Sequence, residues 1–230
     1  MSLYRRILHA IDNYGFRGLI RRPQLNFRDT TQPHPFDLRH ATDTSGHIPG
    51  AALTPANLYN TAYYAISPST LAHALQLLPE PTTGFTFLDL GCGKGRALLV
   101  AASLPFRHIL GVELSPNLCE IARRNTSSDP RIVILHHDAA TYTFPEGPLL
   151  VYLYHPFLKA VLRRVLANLT HRRAHPTYLL YANCTYPKLL ARFPFLQQVW
   201  DYSIPLSAED AAADRHGITH ERFTLYRAHC

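Results

Sequence analysis

Long apolar runs are missing from this sequence of 230 residues. No stretch approaches the roughly 20 apolar residues that a membrane-spanning helix needs, so we expect no transmembrane segment. The basic start of the chain, residues 1–6, is not followed by the apolar core of a secretory signal. Cysteine is scarce as well, and the four cysteines lie far apart without metal-ligand spacing: Cys92, Cys119, Cys184 and Cys230. These absences predict reduced thiols and a cytoplasmic protein.

Acidic residues are also few, 16 against 23 basic residues, which gives a net charge of +7. A basic surface can favour nucleic acid, acidic protein or anionic lipid as a partner. The arginines, however, occur as scattered pairs rather than as one cluster, so we do not expect a nucleic-acid-binding protein. An arginine-rich, lysine-poor composition is also typical of GC-rich genomes. The apolar fraction of 47% suits one domain with a sizeable core.

The first part of the chain differs from the rest. Residues 2–22 show helical spacing of apolar residues beside several arginines, which predicts a basic amphipathic helix. Such a helix could lie on an anionic membrane surface, although packing on the domain is the favoured interpretation. Residues 23–57 lack periodicity, which predicts a lid or substrate loop. Within it, Asp43 and Thr44 would bind substrate or hold the loop itself. We therefore assign residues 1–58 to an N-terminal helix and cap, and residues 59–230 to the main domain.

The rest of the chain is organised around residues 85–96. An apolar run that predicts a buried strand is followed by Gly91, Gly93 and Gly95 on alternate positions, and then by a helix-forming run. In an open α/β sheet, strand, glycine turn and helix build a small-molecule site at the carboxyl end of the first strand. The G-x-G-x-G spacing differs from the dinucleotide pattern G-x-G-x-x-G, which disfavours an NAD-dependent oxidoreductase.

Strands and helices alternate after this point, which predicts a parallel sheet with right-handed crossovers. Acids follow the next two strands, Glu113 after the second and Asp138 after the third, and the fourth runs into Tyr154. Two alternating stretches near the end predict an antiparallel closing pair. The predicted strands lie near residues 85–90, 108–113, 131–136, 149–154, 177–183, 197–204 and 222–227. The predicted helices lie near residues 67–78, 95–103, 115–125, 157–169 and 186–192.

The motif DLGCGKG at residues 89–95, with acids ending the following strands, resembles the first motif of the class I S-adenosylmethionine (SAM) methyltransferases. The resemblance implies an α/β, Rossmann-like class I methyltransferase fold over residues 59–230. Its sheet would be seven-stranded and mostly parallel with an antiparallel last strand, and helices would cover both faces. It also implies SAM as the cofactor.

The resemblance further implies the cofactor contacts. Asp89 would orient the ammonium group, Glu113 would bind the ribose hydroxyls, and Asp138 with the amide of Ala139 would bind the adenine. The residues leave two alternatives: Glu113 as a surface acid at a strand end, and Asp138 as the cap of the following turn. The full predicted set is Tyr64, Ser67, Asp89, Gly91, Cys92, Gly93, Gly95, Glu113, Leu114, Asp138, Ala139 and Tyr154.

The sequence Tyr154-His155-Pro156-Phe157 resembles the Asn/Asp-Pro-Pro-Tyr and Asn-Pro-Phe motifs of N-methylating enzymes, with histidine where asparagine or aspartate would stand. Histidine can act as acceptor or base but presents no amide carbonyl, so a nucleobase amine is disfavoured. A structural role for the histidine at the turn is the alternative. The resemblance implies His155, Tyr154 and Phe157 as catalytic residues and Pro156 as a substrate-binding residue. Asp43 and Thr44 are added as substrate-binding candidates from the polar composition of their loop.

Tyr64 and Ser67, just before a predicted helix, resemble the Dot1-like and related lysine methyltransferases, in which such residues border the cofactor. A tyrosine that only packs the helix explains the pattern equally well. We therefore predict methyl transfer to a nitrogen or oxygen nucleophile, with a protein lysine as the favoured acceptor. A small-molecule acceptor, or a SAM-binding module without transfer activity, is the alternative. His216 and His220 have helical spacing, but Gly217 separates them and a third ligand is lacking, so we expect no metal.

Overall fold

The computed structural model describes residues 33–48, 62–170, 175–214 and 217–229. The predicted N-terminal helix, the boundary at residue 58 and His216 lie outside these ranges. Among the residues described, no helix is both long and apolar enough to cross a bilayer.

Helices and strands alternate along most of the chain. The helices are α1 (Pro35–His40), α2 (Pro68–Gln76), α3 (Arg96–Ala101), α4 (Pro116–Asn125), α5 (Lys159–Leu169), α6 (Pro187–Leu190) and α7 (Ala208–Ala213). The strands are β1 (Thr86–Leu90), β2 (His108–Glu113), β3 (Ile132–His136), β4 (Leu149–Tyr154), β5 (Thr177–Ala182), β6 (Leu196–Pro205) and β7 (His220–Ala228).

The strands form one seven-stranded sheet in the order β3-β2-β1-β4-β5-β7-β6. The first five strands pair in parallel, and β7 is antiparallel to both of its neighbours. This confirms the predicted mostly parallel sheet with an antiparallel last strand. The strand order reverses between β1 and β4, and in open α/β sheets ligands bind outside the carboxyl ends of the strands at such a point.

Apolar side chains fill both faces of the sheet, because successive residues of a strand point to opposite sides. Phe87 of β1 joins one core cluster with residues of α2 and α3, while its neighbour Leu88 joins the other with residues of α5 and α6. All five residues of β1 are buried, as expected for a strand covered on both faces. Helices on both faces are therefore confirmed.

Two short helices have no counterpart in the sequence prediction. In α1, Pro35 takes the first turn and the His34 side chain accepts a hydrogen bond from the Phe36 N–H group. In α7, the Ser207 side chain accepts from the Asp210 N–H group. Each helix has six residues, too few to show helical periodicity.

Candidate active site

The glycine turn after β1 has the backbone geometry that its composition predicts. Gly91, Gly93 and Gly95 have φ angles of 87°, 55° and 91°, in the region that side chains disfavour. A Cβ atom on Gly91 would lie 2.5 Å from the Pro156 side chain, and one on Gly93 would lie 2.3 Å from the Tyr63 ring. Neither position can hold a larger residue, since these neighbours already lie against the backbone.

Glu113, at the end of β2, is tied to the glycine turn. One carboxylate oxygen accepts from the Gly93 N–H group at 3.0 Å, and the other accepts from the Ser115 N–H group at 2.8 Å. Burial raises the pKa of Glu113, and these hydrogen bonds oppose the shift. The residue is only 8% exposed, so Glu113 is not a surface acid. Each oxygen keeps a lone pair for a further donor such as a ribose hydroxyl.

Asp89 lies in β1 directly before the glycine turn and is 3% exposed. Within the described ranges no group donates a hydrogen bond to its carboxylate, and burial, with the charge of Glu113, raises its pKa well above the usual value. In β4, the residue opposite Asp89 is Tyr152, whose buried hydroxyl also lacks a partner among the described residues. Buried polar groups without partners are costly. A bound ammonium group would satisfy the carboxylate.

Further along the sheet edge, the two residues predicted to bind the adenine, Asp138 and Ala139, follow β3. The Asp138 carboxylate accepts from the Ala140 N–H group at 2.8 Å, so it caps the following turn, as the alternative interpretation expected. Ala139 is buried, and the Leu114 carbonyl lies 3.0 Å from the His136 ring nitrogen Nε2. Glu113 and Asp138 lie at or just beyond the carboxyl ends of the neighbouring parallel strands β2 and β3.

Tyr63, rather than Tyr64, is the aromatic residue on the glycine turn. Tyr64 is half-buried and packs against His47 in a tilted arrangement, with ring centroids 4.6 Å apart. Ser67 is the N-cap residue of α2, with Pro68 at the first helical position as predicted, but its side chain makes no capping hydrogen bond. The predicted cofactor contacts of Tyr64 and Ser67 stay predictions.

The two residues predicted from the lid segment pack against the glycine turn and its surroundings. Asp43 forms an ion pair with Lys94 at 2.8 Å. Thr44 has no exposed surface, and its hydroxyl is shared between Asp37 and Arg96. In this structure, therefore, both side chains hold the segment in place.

The end of β4 carries a hydrogen-bonded pair that the sequence analysis did not identify. The Tyr154 hydroxyl donates to the Glu221 carboxylate at 3.1 Å, and the Thr70 hydroxyl donates to its other oxygen. Glu221 is 1% exposed, and burial raises its pKa to about 7 despite the hydrogen bonds it accepts. A signal existed, since Glu221 alternates in phase with the buried Phe223 and Leu225 of β7.

His155 follows at the turn after β4, with a φ of 44°. Its Nδ1 atom lies 2.9 Å from the Thr185 hydroxyl and 3.3 Å from the Tyr181 hydroxyl. Burial lowers the pKa of His155 to about 4, so the imidazole is neutral at pH 7 and is a weak base. Phe157 is buried in the core cluster that also contains residues of α5.

Across the ranges that the structure describes, no three histidine, cysteine, aspartate or glutamate side chains come together in a way that could hold a metal ion. The polar groups on the sheet edge instead suit an organic ligand. Asp89 offers a carboxylate to a cation, and Glu113 offers two acceptor oxygens.

A family model described as a methyltransferase domain matches residues 87–172. No curated protein matches the chain. Among solved structures, a chain from the complex of the Haloferax volcanii Trm112 methyltransferase activator with a methyltransferase is 17% identical, with a TM-score of 0.53 over 71% of this chain and 91% of that one. The N-methyltransferase NodS from Bradyrhizobium japonicum is 13% identical and has a TM-score of 0.50, with 71% of this chain and 93% of NodS covered. StiE O-MT is 15% identical and has a TM-score of 0.52, with 70% of this chain and 74% of the StiE chain covered.

At these identities the structural likeness establishes the fold, which is the Rossmann-like class I methyltransferase fold. The three neighbours do not favour the Dot1-like lysine branch predicted from Tyr64 and Ser67.

Proposed function

We propose that this protein, an S-adenosylmethionine-dependent methyltransferase, transfers the methyl group to an amine or hydroxyl group held beside Tyr154. The observation that carries the proposal is the hydrogen bond from the Tyr154 hydroxyl to the buried Glu221 carboxylate. SAM, when bound, supplies an electrophilic methyl group, whose bond to sulfur breaks as the acceptor's lone pair forms the new bond.

In this proposal the cofactor half of the site comprises Asp89, the glycine turn and Glu113. Asp89 holds the ammonium group, because a buried carboxylate without a hydrogen-bond donor is satisfied by a cation. Because Gly91 and Gly93 have no side chains, Pro156 and Tyr63 lie directly against the turn and border the site. Glu113 accepts the ribose hydroxyls with the lone pairs that Gly93 and Ser115 do not use.

The acceptor half follows from the direction of one hydrogen bond. A phenol has one proton, and Tyr154 donates it to Glu221. The Asn183 side chain also acts as a donor to the Tyr154 oxygen. The lone pair that remains can therefore accept an N–H or O–H proton, but the phenol cannot donate. The Tyr154 hydroxyl therefore selects a methyl acceptor that carries a proton on the reacting atom, as amines and hydroxyls do.

Glu221 then has a chemical role, because an amine or hydroxyl must lose a proton when it is methylated. The acceptor's proton passes to the Tyr154 oxygen as the phenol's own proton passes to the Glu221 carboxylate. A carboxyl whose pKa is about 7 is suited to this exchange near neutral pH. His155, with a pKa of about 4, is a weaker proton acceptor than Glu221. In this proposal it lines the acceptor pocket as a neutral hydrogen-bonding side chain.

The acceptor class includes a protein lysine and a small-molecule amine or alcohol. The test is incubation of the purified protein with tritiated-methyl SAM and a cell lysate separated into protein and small-molecule fractions. We expect label in one fraction, on nitrogen or oxygen, and the fraction identifies which acceptor is used. Label on carbon or on sulfur would overturn the proposal, because a C–H group donates no ordinary hydrogen bond to the Tyr154 oxygen and an S–H group is only a weak donor. Micromolar binding of S-adenosylhomocysteine (SAH) without transfer to either fraction would indicate a binding module instead.

A further inference from the structure

Two cationic residues flank Gly95 in the glycine turn, and both are buried. Lys94 is 8% exposed and Arg96 is 5% exposed. Buried cations are costly unless they are paired. Nearly all of their side-chain partners come from residues 35–46, which we call the clamp segment.

Arg96 forms the central contact with the clamp segment. Its guanidinium donates to the Thr44 hydroxyl at 2.7 Å, to the Ser45 hydroxyl at 3.0 Å and to the Asp37 carboxylate at 3.3 Å. Asp37 also accepts from the hydroxyls of Thr42, Thr44 and Ser45 and from the Thr44 N–H group. The Asp37 side chain is 1% exposed. Burial opposes its ionisation, but the hydroxyl hydrogen bonds and the Arg96 charge outweigh burial and lower the pKa of Asp37.

Lys94 forms a second, more exposed contact. Its ammonium donates to the Asp43 carboxylate and to the Ser45 carbonyl, both at 2.8 Å. The Asn125 side chain at the end of α4 joins the two sides, because its amide donates to the carbonyls of Asp43 and Lys94 at 2.9 Å. The clamp segment is therefore fixed to α4 as well as to the glycine turn.

Tyr63 connects the clamp segment to the part of the turn that faces the ligand site. Its hydroxyl donates to the Thr44 carbonyl at 2.6 Å, and its ring lies against Gly93. Gly93 in turn donates to Glu113. A continuous series of contacts therefore runs from Asp37 through Thr44 to Gly93 and Glu113.

We propose that Asp37 and Arg96 are positioning residues for SAM, which hold the glycine turn and Tyr63 in the conformation that binds the cofactor. The inference rests on the placement of the cofactor under "Proposed function", and neither residue needs to touch the ligand. A purely structural ion pair would predict lower stability with unchanged affinity in every folded variant.

The test is titration calorimetry with SAH, at a temperature at which circular dichroism shows each variant to be folded. Asp37→Asn is expected to raise the Kd at least about 10-fold, because the clamp loses its charged centre. The matched control is Glu209→Gln, which removes the exposed ion pair between the same segment and α7, Arg39–Glu209, and is expected to change the Kd less than twofold. An Asp37→Asn Kd within twofold of the wild-type value would overturn the proposal.

A double variant separates positioning from folding. Asp37→Leu with Arg96→Met leaves no unpaired charge in the interior, so its melting temperature should exceed that of Arg96→Met alone. Its affinity for SAH should stay weak, because Thr44 and Tyr63 have lost their anchor. Recovery of stability and affinity together would mean that the pair acts only on folding, and would overturn the proposal.

A milder variant covers the case in which Asp37→Asn does not fold. Ser45→Ala removes one hydroxyl that donates to Asp37 and accepts from Arg96. We expect about a threefold higher Kd for SAH, and an unchanged Kd would count against the proposal. A wild-type protein that binds no SAH at all would instead contradict the cofactor placement, so the two failures are distinguishable.

Discussion

The cofactor half and the acceptor half of the proposed site are built in different ways. The cofactor half lies on β1, β2 and the turns that follow them, so Asp89, Gly93 and Glu113 are near one another in the sequence. The acceptor half brings Tyr154 of β4 together with Glu221 of β7 and with α2, and β5 lies between the two strands in the sheet. A strand–turn–helix unit can define the first half locally, whereas only the complete sheet assembles the second.

Each half contains a buried carboxyl whose burial raises its pKa, but their surroundings differ. Asp89 accepts no hydrogen bond from the described residues. Glu221 accepts hydrogen bonds from Tyr154 and Thr70. A carboxylate that accepts no hydrogen bond is suited to holding a cationic ligand. A carboxylate that accepts a hydrogen bond from a tyrosine is suited to exchanging a proton with that tyrosine. We expect variants in the two halves to affect different measurements.

The largest effect is expected from Glu221→Gln, because glutamine cannot take up the acceptor's proton. Turnover should fall about 100-fold or more, while the Kd for SAH changes less than twofold. With a pKa of about 7, wild-type Glu221 is ionised and competent above neutral pH. The wild-type rate should therefore rise as the pH increases through about 7, and this rise should be absent in the variant. The measurement is a pH–rate profile with tritiated-methyl SAM and the acceptor fraction from the lysate screen.

The matched control for Glu221→Gln is Glu80→Gln, because the Tyr178 hydroxyl donates to Glu80 at 2.7 Å near the other end of the sheet. This second tyrosine–glutamate pair should be dispensable for turnover. Equal losses in the two variants, or a wild-type profile without a rise near pH 7, would contradict the role of Glu221.

The next effect is expected in the cofactor half. Glu113→Ala should weaken SAH binding by about 1–3 kcal/mol, because a buried site with two acceptors is lost. Titration calorimetry measures the change directly. The comparison variant is Glu120→Ala, since Glu120 is an exposed acid on the next helix; its affinity should match the wild-type value. An unchanged affinity in Glu113→Ala would remove Glu113 from the cofactor site.

A smaller effect is expected from His155→Ala, about a 10-fold loss of turnover with little change in SAH affinity, if the imidazole lines the acceptor pocket. Because the pKa of His155 is about 4, the ring stays neutral between pH 6 and 9 and the shape of the pH profile should not change. Turnover assays on His155→Ala and on its partner variant Thr185→Ala check this. Full activity in His155→Ala would make the histidine structural.

The smallest effect concerns stability. The pKa of Glu221 is about 7 in the folded protein, against an ordinary value of 4.5. Its stabilising contribution is therefore complete below about pH 4.5 and is lost as the pH rises through 7. Glu221→Gln resembles the protonated form, so it should be more stable than the wild type at pH 8.5, by about 1–3 kcal/mol, and similar to it near pH 5. Thermal melts at the two pH values measure this, and a destabilised variant at pH 8.5 would contradict it.

The sequence predicts the sheet and the backbone conformation of the glycine turn well, because both depend on local patterns. An apolar run followed by three glycines fixes β1 and its turn, and acids such as Glu113 mark the ends of the following strands. Glu221 and the Asp37–Arg96 pair were not predicted, because each depends on contacts between residues that are distant in the chain. Tyr63 and Tyr64 are adjacent, and sequence alone does not show which ring lies on Gly93.

The most direct test of the two-part site is the Tyr154→Phe variant, measured by SAH titration calorimetry with tritium transfer recorded on the same preparation. Phenylalanine keeps the ring and removes only the hydroxyl that donates to Glu221. The account predicts a Kd for SAH within about twofold of the wild-type value and a loss of transfer of about 100-fold. Weakened SAH binding in proportion to the lost transfer would contradict it, because Tyr154 would then belong to the cofactor half.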